Sequence, residues 1–314
     1  MALFALFGIT LLVAGCIGQG VRFRSAFPHQ SLTLEGFLYR PKGSGPFPAL
    51  VLLHTCAGLR EHVFDWAEKL VAEGYVALAV DSFSPRGIRT CGPGRPGHAA
   101  VAADAFGALV YLRSLPFVDR DRVGVMGWSF GATAALMAGS ELGAFLQPPE
   151  GGFRAAVAFY PYCTGYLGDE TVPLLLLLGE LDDWTPASDC VARAEELRQE
   201  GQTVVWKVYP GAYHSFDEAE LRRYSGTAIV QGHILEYDPE ATADAWKRVR
   251  AFLAQHLRRL PPKGKGASDR RHGPFQSMEA FRPASARPRK FSLSLFSYLF
   301  QERRRAWPLD PGNA

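Results

Sequence analysis

The chain has 314 residues, 47% of them hydrophobic and 21% charged, which suits a globular protein with a sizeable core and excludes a wholly disordered one. Its net charge of +3 is unevenly spread: residues 261–314 hold 11 Lys and Arg against 4 Asp and Glu, so that tail carries +7 and residues 1–260 carry −4. A mildly acidic body offers no basic face for nucleic acid.

The first residues, MALFALFGITLLVAGCIGQG, are apolar from Ala2 to Ala14 and end in Leu-Val-Ala-Gly-Cys at Cys16. A membrane-spanning helix needs roughly 20 apolar residues, so this shorter run reads as a signal-peptide core. The ending resembles a bacterial lipoprotein signal with Cys16 as the lipidated residue, although no Lys or Arg precedes the apolar core. Residues 1–16 are therefore expected to direct export to the bacterial cell envelope, as a periplasmic or outer-membrane protein. The alternatives are an uncleaved hydrophobic anchor, or a misassigned start codon on a cytoplasmic chain.

Beyond the signal, Ser31–Pro41 alternates apolar and polar residues as a half-buried antiparallel strand does. The run FPALVLLHT, ending near His54, is continuously apolar and reads as a buried strand. A helical face of Val63, Phe64, Trp66, Leu70 and Val71 follows, closed by Gly74. The strands YVALAVD, RVGVMGW, RAAVAFYP, VPLLLLLGE and TVVWKVYPG then alternate with the helices AAVAADAFGALVYLRSL, FGATAALMAGS and ASDCVARAEELRQEG. The amphipathic run PEATADAWKRVRAFLAQHL closes the series. Such alternation predicts one α/β domain over residues 27–260, with a mostly parallel central sheet covered by helices on both faces.

Residues 261–314 change character. They begin rich in Pro, Gly, Ser and basic residues, a composition that favours disorder, and end in FSLSLFSYLFQERRRAW. That last segment reads as either an interfacial amphipathic stretch or a functionless extension. With Cys16 lipidation, the basic tail makes membrane association an expected property.

Four cysteines remain after processing at Cys16: Cys56, Cys91, Cys163 and Cys190. In an exported chain they can pair in three ways, or they can serve as small buried hydrophobes. None lies in a Cys-x-x-Cys or His-rich setting, so no metal site is expected.

The chemistry centres on Gly127-Trp128-Ser129-Phe130-Gly131. The motif joins a buried strand to a helix, so Ser129 projects its hydroxyl above the carboxyl end of the sheet, where the helix N-terminus also points its N–H groups. A serine needs a base, and the base an orienting acid. Downstream, LLLLLGELDDWTP ends a strand in Asp182 and Asp183, and VVWKVYPGAYHSFD presents His214. Nucleophile, acid and base thus follow in chain order, each just past a strand end.

Across roughly residues 27–258 the sequence is similar to the dienelactone hydrolase family of α/β-hydrolases. The matching stretches are VLLHTCAGL, AVDSFSPRG, GVMGWSFGA, LLLLLGELDDWTP and YPGAYHSF. In that family the acid stands three residues after the strand-ending glycine and four before a proline, and from Gly179 and Pro186 both counts select Asp182. The resemblance implies an oxyanion hole made by the backbone N–H groups of Cys56 and Phe130. It also implies that Arg86, in SPRG, binds a substrate carboxylate. Two departures bear on activity: dienelactone hydrolases proper use a cysteine where this chain has Ser129, and a glutamate where it has Thr55. Both point away from dienelactone itself and towards a general serine esterase or lactonase.

The expected function is hydrolysis of small-molecule carboxylic esters or lactones through a Ser129 acyl-enzyme, with His214 and Asp182 and with no metal or organic cofactor. Phe130, Tyr160, Tyr162 and Trp184 suggest an aromatic acyl pocket, with Trp184 as a substrate contact. A peptidase of short exported peptides would use the same residues. A non-catalytic surface-anchored binding protein on the same fold is the reading from another class.

Overall fold

A computed structural model describes residues 18–26, 31–143, 151–164, 171–224 and 226–257. The expected signal segment with Cys16 and the basic tail 261–314 lie outside the described residues. Among those described, no helix is long and apolar enough to cross a membrane.

The central sheet is built from β1 (Gln19–Arg24), β2 (Thr33–Tyr39), β3 (Phe47–Leu53), β4 (Val76–Asp81), β5 (Val118–Trp128), β6 (Ala156–Phe159), β7 (Leu174–Gly179) and β8 (Val204–Tyr209). Their spatial order is β1-β2-β4-β3-β5-β6-β7-β8. β2 pairs antiparallel with both β1 and β4, and every pair from β4 to β8 is parallel. The antiparallel ribbon therefore sits on one edge, and its alternation is visible in β2, where the buried Leu34, Gly36 and Leu38 alternate with the exposed Thr33, Glu35 and Phe37.

Among the described residues, five α-helices cover the sheet: α1 (Glu61–Ala72), α2 (His98–Ser114), α3 (Phe130–Gly139), α4 (Ala187–Gln199) and α5 (Pro239–Leu257). The parallel strands are buried on both faces, which is why their sequences run continuously apolar. Ala49, Val51 and Leu53 of β3 share one core layer with Leu109 of α2, Leu136 of α3 and Leu197 of α4. Leu50 and Leu52 share the other with Trp66 and Leu70 of α1 and Val249 and Leu253 of α5. In β7, Leu174, Leu176 and Leu178 face the first layer, and Leu175 and Leu177 face the second.

Three strands go beyond the expected ones. The sheet starts at Gln19, ahead of the expected domain start at residue 27, because β1 pairs with β2 from Gln19 opposite Leu38 to Arg24 opposite Thr33. Only Phe23 of β1 is buried, so its apolar signal is weak. The insertion after His214 contains a hairpin of β9 (Thr227–Val230) and β10 (His233–Glu236), separate from the main sheet.

The cysteines pair as Cys56–Cys91 and Cys163–Cys190, one of the three arrangements open to four cysteines.

Candidate active site

Ser129 occupies the single residue between β5 and α3, at φ 50° and ψ −116°. A non-glycine residue at such a positive φ carries strain of about 1–3 kcal/mol, which the surroundings must hold in place. They do so through backbone contacts: Ser129 N–H donates to Phe159 O at 2.9 Å, and Ser129 O accepts the Thr133 N–H at 3.1 Å. The two flanking glycines are required by close approach. A Cβ on Gly127 would lie 2.3 Å from Gly131 O, and one on Gly131 would lie 2.3 Å from Leu53 O. With its main chain engaged, Ser129 directs its hydroxyl outward.

The partners arrive from the ends of β7 and β8. Leu181 N–H donates to Ala212 O at 2.9 Å, and a Cβ on Gly179 would meet Ala212 O at 2.6 Å, so the two strand exits run in contact. That contact brings Asp182 beside His214. His214 Nε2 lies 2.9 Å from Ser129 Oγ, and His214 Nδ1 lies 2.8 Å from Asp182 Oδ2. Asp182 is 4% exposed and His214 2%.

Asp182 is held by more than the imidazole. Its Oδ1 accepts the N–H groups of Trp184 at 3.0 Å and Thr185 at 2.8 Å, and its Oδ2 accepts the Thr185 hydroxyl at 2.9 Å. Burial by itself pushes this carboxyl up, but the bonds from His214 and Thr185 outweigh it and hold its pKa below the ordinary aspartate value. Asp182 is therefore ionised at neutral pH and keeps the Nδ1 proton of His214. Asp183, by contrast, is half exposed and faces the hairpin, with Oδ1 3.4 Å from Ile234 N and 3.5 Å from His233 Nδ1. The hairpin also reaches the histidine directly, since Glu236 N–H donates to His214 O at 3.1 Å.

Beneath this chain lies a buried cluster that no sequence motif indicated. Asp217 accepts the indole N–H of Trp66 at 2.7 Å and of Trp128 at 2.8 Å on Oδ2, and the Tyr160 hydroxyl at 2.6 Å on Oδ1. Trp128 immediately precedes Ser129, and the Tyr160 ring lies 4.6 Å from that of His214. Asp217 thus ties the nucleophile strand to the histidine loop. Burial raises its pKa despite these three donors.

The remaining expected residues divide. Phe130 is the first residue of α3, where its N–H lies among those at the helix N-terminus. Cys56 sits in a loop braced by its disulfide to Cys91, by Cys91 N–H donating to Cys56 O at 2.8 Å, and by Gly58 N–H donating to Thr55 O at 3.1 Å. Trp184 stacks on the imidazole of His233 at 4.8 Å and lies tilted against that of His214 at 5.3 Å.

Arg86 is tied to the scaffold. Its guanidinium holds the fully buried Asp104 with two bonds, 2.7 and 3.0 Å, and donates to Ser82 O at 2.6 Å. A bidentate partner with no access to water makes the arginine an anchor of the loop after β4. Tyr160 likewise is a fully buried support rather than a pocket wall, whereas Tyr162 is 40% exposed.

The family model described as "Dienelactone hydrolase family" matches residues 34–257. Among curated proteins, the chain is 25% identical over 261 residues to a Synechocystis protein named "Putative carboxymethylenebutenolidase", covering 74% of this chain and 95% of that one. It is also 25% identical over 243 residues to a Bradyrhizobium protein named "Probable 2-oxo-3-(5-oxofuran-2-ylidene)propanoate lactonase", covering 70% and 89%. Among solved structures, a dienelactone hydrolase-like promiscuous phosphotriesterase from metagenomic libraries superposes with a TM-score of 0.61 at 20% identity, covering 77% of this chain and 99% of that one. That likeness establishes the α/β-hydrolase fold.

Proposed function

The chain belongs to the dienelactone hydrolase family, a family of hydrolases, and from that premise we propose that it cleaves small carboxylic esters or lactones through a covalent acyl-enzyme on Ser129. The observation that carries this reading is the unbroken chain from Ser129 Oγ to His214 Nε2 at 2.9 Å and from His214 Nδ1 to Asp182 Oδ2 at 2.8 Å. Ser129 Oγ attacks the carbonyl carbon as its proton passes to His214 Nε2. Asp182 accepts the Nδ1–H bond, fixes the working tautomer and stabilises the imidazolium. The N–H groups of Phe130 and Cys56 receive the developing oxyanion. His214 then protonates the leaving alcohol, and a water activated by the same nitrogen releases the acid.

The strained φ of Ser129 favours catalysis over a binding scaffold, since such strain is maintained where an exposed hydroxyl is needed. The lactonase name of the Bradyrhizobium relative supports lactones as one substrate class. The pairs Cys56–Cys91 and Cys163–Cys190 support export, because disulfides persist in oxidising compartments. Cys16 is then the residue on which a mature, lipid-anchored chain begins.

Ser129→Ala tests the mechanism. The variant should keep its circular dichroism spectrum, lose fluorophosphonate labelling, and hydrolyse a short-chain aryl ester several orders of magnitude more slowly. Retention of more than about a tenth of the rate, a barrier change of only ~1.4 kcal/mol, refutes the assignment. Recovery of the chain from the cytoplasmic fraction with Met1 retained refutes export and leaves the catalytic reading intact.

A further inference from the structure

Three side chains stand together outside the Ser129–His214–Asp182 chain. His62 lies in the first turn of α1, Glu218 four residues after His214, and Glu220 in the 3-10 turn Ala219–Tyr224. Each offers one ligand atom, and the three atoms lie within 4.8 Å of one another. His62 and Glu218 are buried and Glu220 is partly so.

The imidazole points to a missing ligand. His62 is 2% exposed, and neither of its ring nitrogens has a hydrogen-bond partner. Its ring is fixed edge-on against Trp128, with centroids 5.5 Å apart. A neutral imidazole carries one donor and one lone pair, and leaving either unmet away from water costs about 1–3 kcal/mol. With both ring nitrogens unmet, the imidazole is the unsatisfied member of the cluster with the two glutamates.

Arg60 and Arg223 lie near Glu220, whose carboxylate also accepts the Glu61 N–H, but neither ring nitrogen of His62 has a partner. Arg60, ahead of α1, donates from Nε to Ala57 O at 3.1 Å, and Arg223 pairs with Glu61 at 2.6 Å. Asp217 is taken up by Trp66, Trp128 and Tyr160. The Ser215 hydroxyl donates to Glu218 Oε1 at 3.0 Å.

We propose that His62, Glu218 and Glu220 bind one divalent transition-metal ion of the Zn2+ type. One imidazole nitrogen and two carboxylate oxygens match the donors such ions take, whereas Ca2+ requires about six to eight oxygens. At metal–ligand distances of about 2.0–2.2 Å, tetrahedral donors stand roughly 3.4 Å apart, so the side chains close by a small movement. Water takes the fourth position. Both glutamates enter as carboxylates, and any proton that either carries leaves to solvent. The ion ties the start of α1 to the segment that follows His214, a bracing role that does not rest on the ester-hydrolysis reading.

Isothermal titration of the chelator-treated, tag-free full chain with ZnCl2 tests this. One equivalent should bind, with X-ray absorption giving a first shell of nitrogen and oxygen at about 2.0–2.2 Å and the outer-shell scattering of one imidazole. His62→Gln and Glu220→Gln should each weaken binding by about tenfold or more, since even the loss of an outer-shell partner has effects of that size. Glu220 is only partly buried, so its variant decides the matter if the His62 variant does not fold. Ser129→Ala and Asp182→Asn should bind zinc as the wild type does, which separates this site from adventitious coordination at His214. No binding up to millimolar zinc, equal affinity in Glu220→Gln, loss of binding in Asp182→Asn, or tighter binding of Ca2+ than of Zn2+ overturns the proposal.

Discussion

Replacing Asp182 by asparagine tests the acid through hydrogen-bond polarity. Oδ1 accepts two backbone N–H groups, from Trp184 at 3.0 Å and Thr185 at 2.8 Å. Main-chain donors cannot be re-aimed, so an asparagine must put its carbonyl oxygen there. The opposite flip would set an NH2 group against both donors, at about 1–3 kcal/mol for each group left unmet. The NH2 then takes the place of Oδ2, 2.8 Å from His214 Nδ1. An amide NH2 only donates, so Nδ1 must accept, and the ring proton moves to Nε2, the nitrogen 2.9 Å from Ser129 Oγ. In that tautomer the imidazole cannot receive the serine proton. A fall in kcat of about 10⁴-fold is expected, as the wrong tautomer produces in serine proteases. It corresponds to about 5 kcal/mol of barrier. Asp183→Asn perturbs only the long contacts of a half-exposed carboxylate to Ile234 and His233. Such a contact contributes at most about 1 kcal/mol, so kcat should stay within about fivefold of wild type. Steady-state hydrolysis of an aryl acetate at neutral pH, with circular dichroism to verify folding, measures both. A loss below about tenfold in Asp182→Asn, or a larger loss in Asp183→Asn, refutes the reasoning.

Three further outcomes follow from the same structure. Gly131→Ala places a Cβ 2.3 Å from Leu53 O and 2.5 Å from His54 O; a loss of about 3 kcal/mol is expected in urea unfolding, and an unchanged midpoint shows that the elbow relaxes. The Cys163→Ser/Cys190→Ser double variant opens a link of sequence separation 27 and should lose about 3–4 kcal/mol; a wild-type melting temperature refutes a native disulfide there. His98, buried at the start of α2 with Arg95 nearby, has its pKa pushed down to about 4. The unfolded chain binds its proton near 6.5 and the folded chain only near 4, so His98 contributes a stability loss as pH falls from about 6.5 towards 4. His98→Phe, which keeps an aromatic ring against Phe130, should flatten that slope in melting experiments, and an identical slope in both proteins sinks the attribution.

Local patterns carried the architecture and the order of the chemistry. Continuous apolar runs such as LLLLLG and the 3.6-residue faces between them are set by burial on two faces or one, so they predict a parallel sheet and its covering helices before any contact is known. The pattern Gly-x-Ser-x-Gly likewise carries its reason locally: contacts of 2.3 Å at Gly127 and Gly131 admit no side chain. The resemblance supplied the finer choice of Asp182 over Asp183, which no periodicity separates. Weak or distant signals were a different matter. β1 buries only Phe23, and β9 and β10 are short and half exposed, so neither rises above its surroundings in the sequence. The pairing of four cysteines, the capture of Arg86 by Asp104, the Asp217 cluster and the meeting of His62 with Glu218 and Glu220 all join distant positions. A side chain's type states what it can bond, but its partner is chosen by which strand ends the sheet order sets side by side. For that reason the sequence by itself determined the fold class and the sequential order of serine, acid and histidine, whereas only the tertiary structure decided which charges are spent on the scaffold and which remain for chemistry.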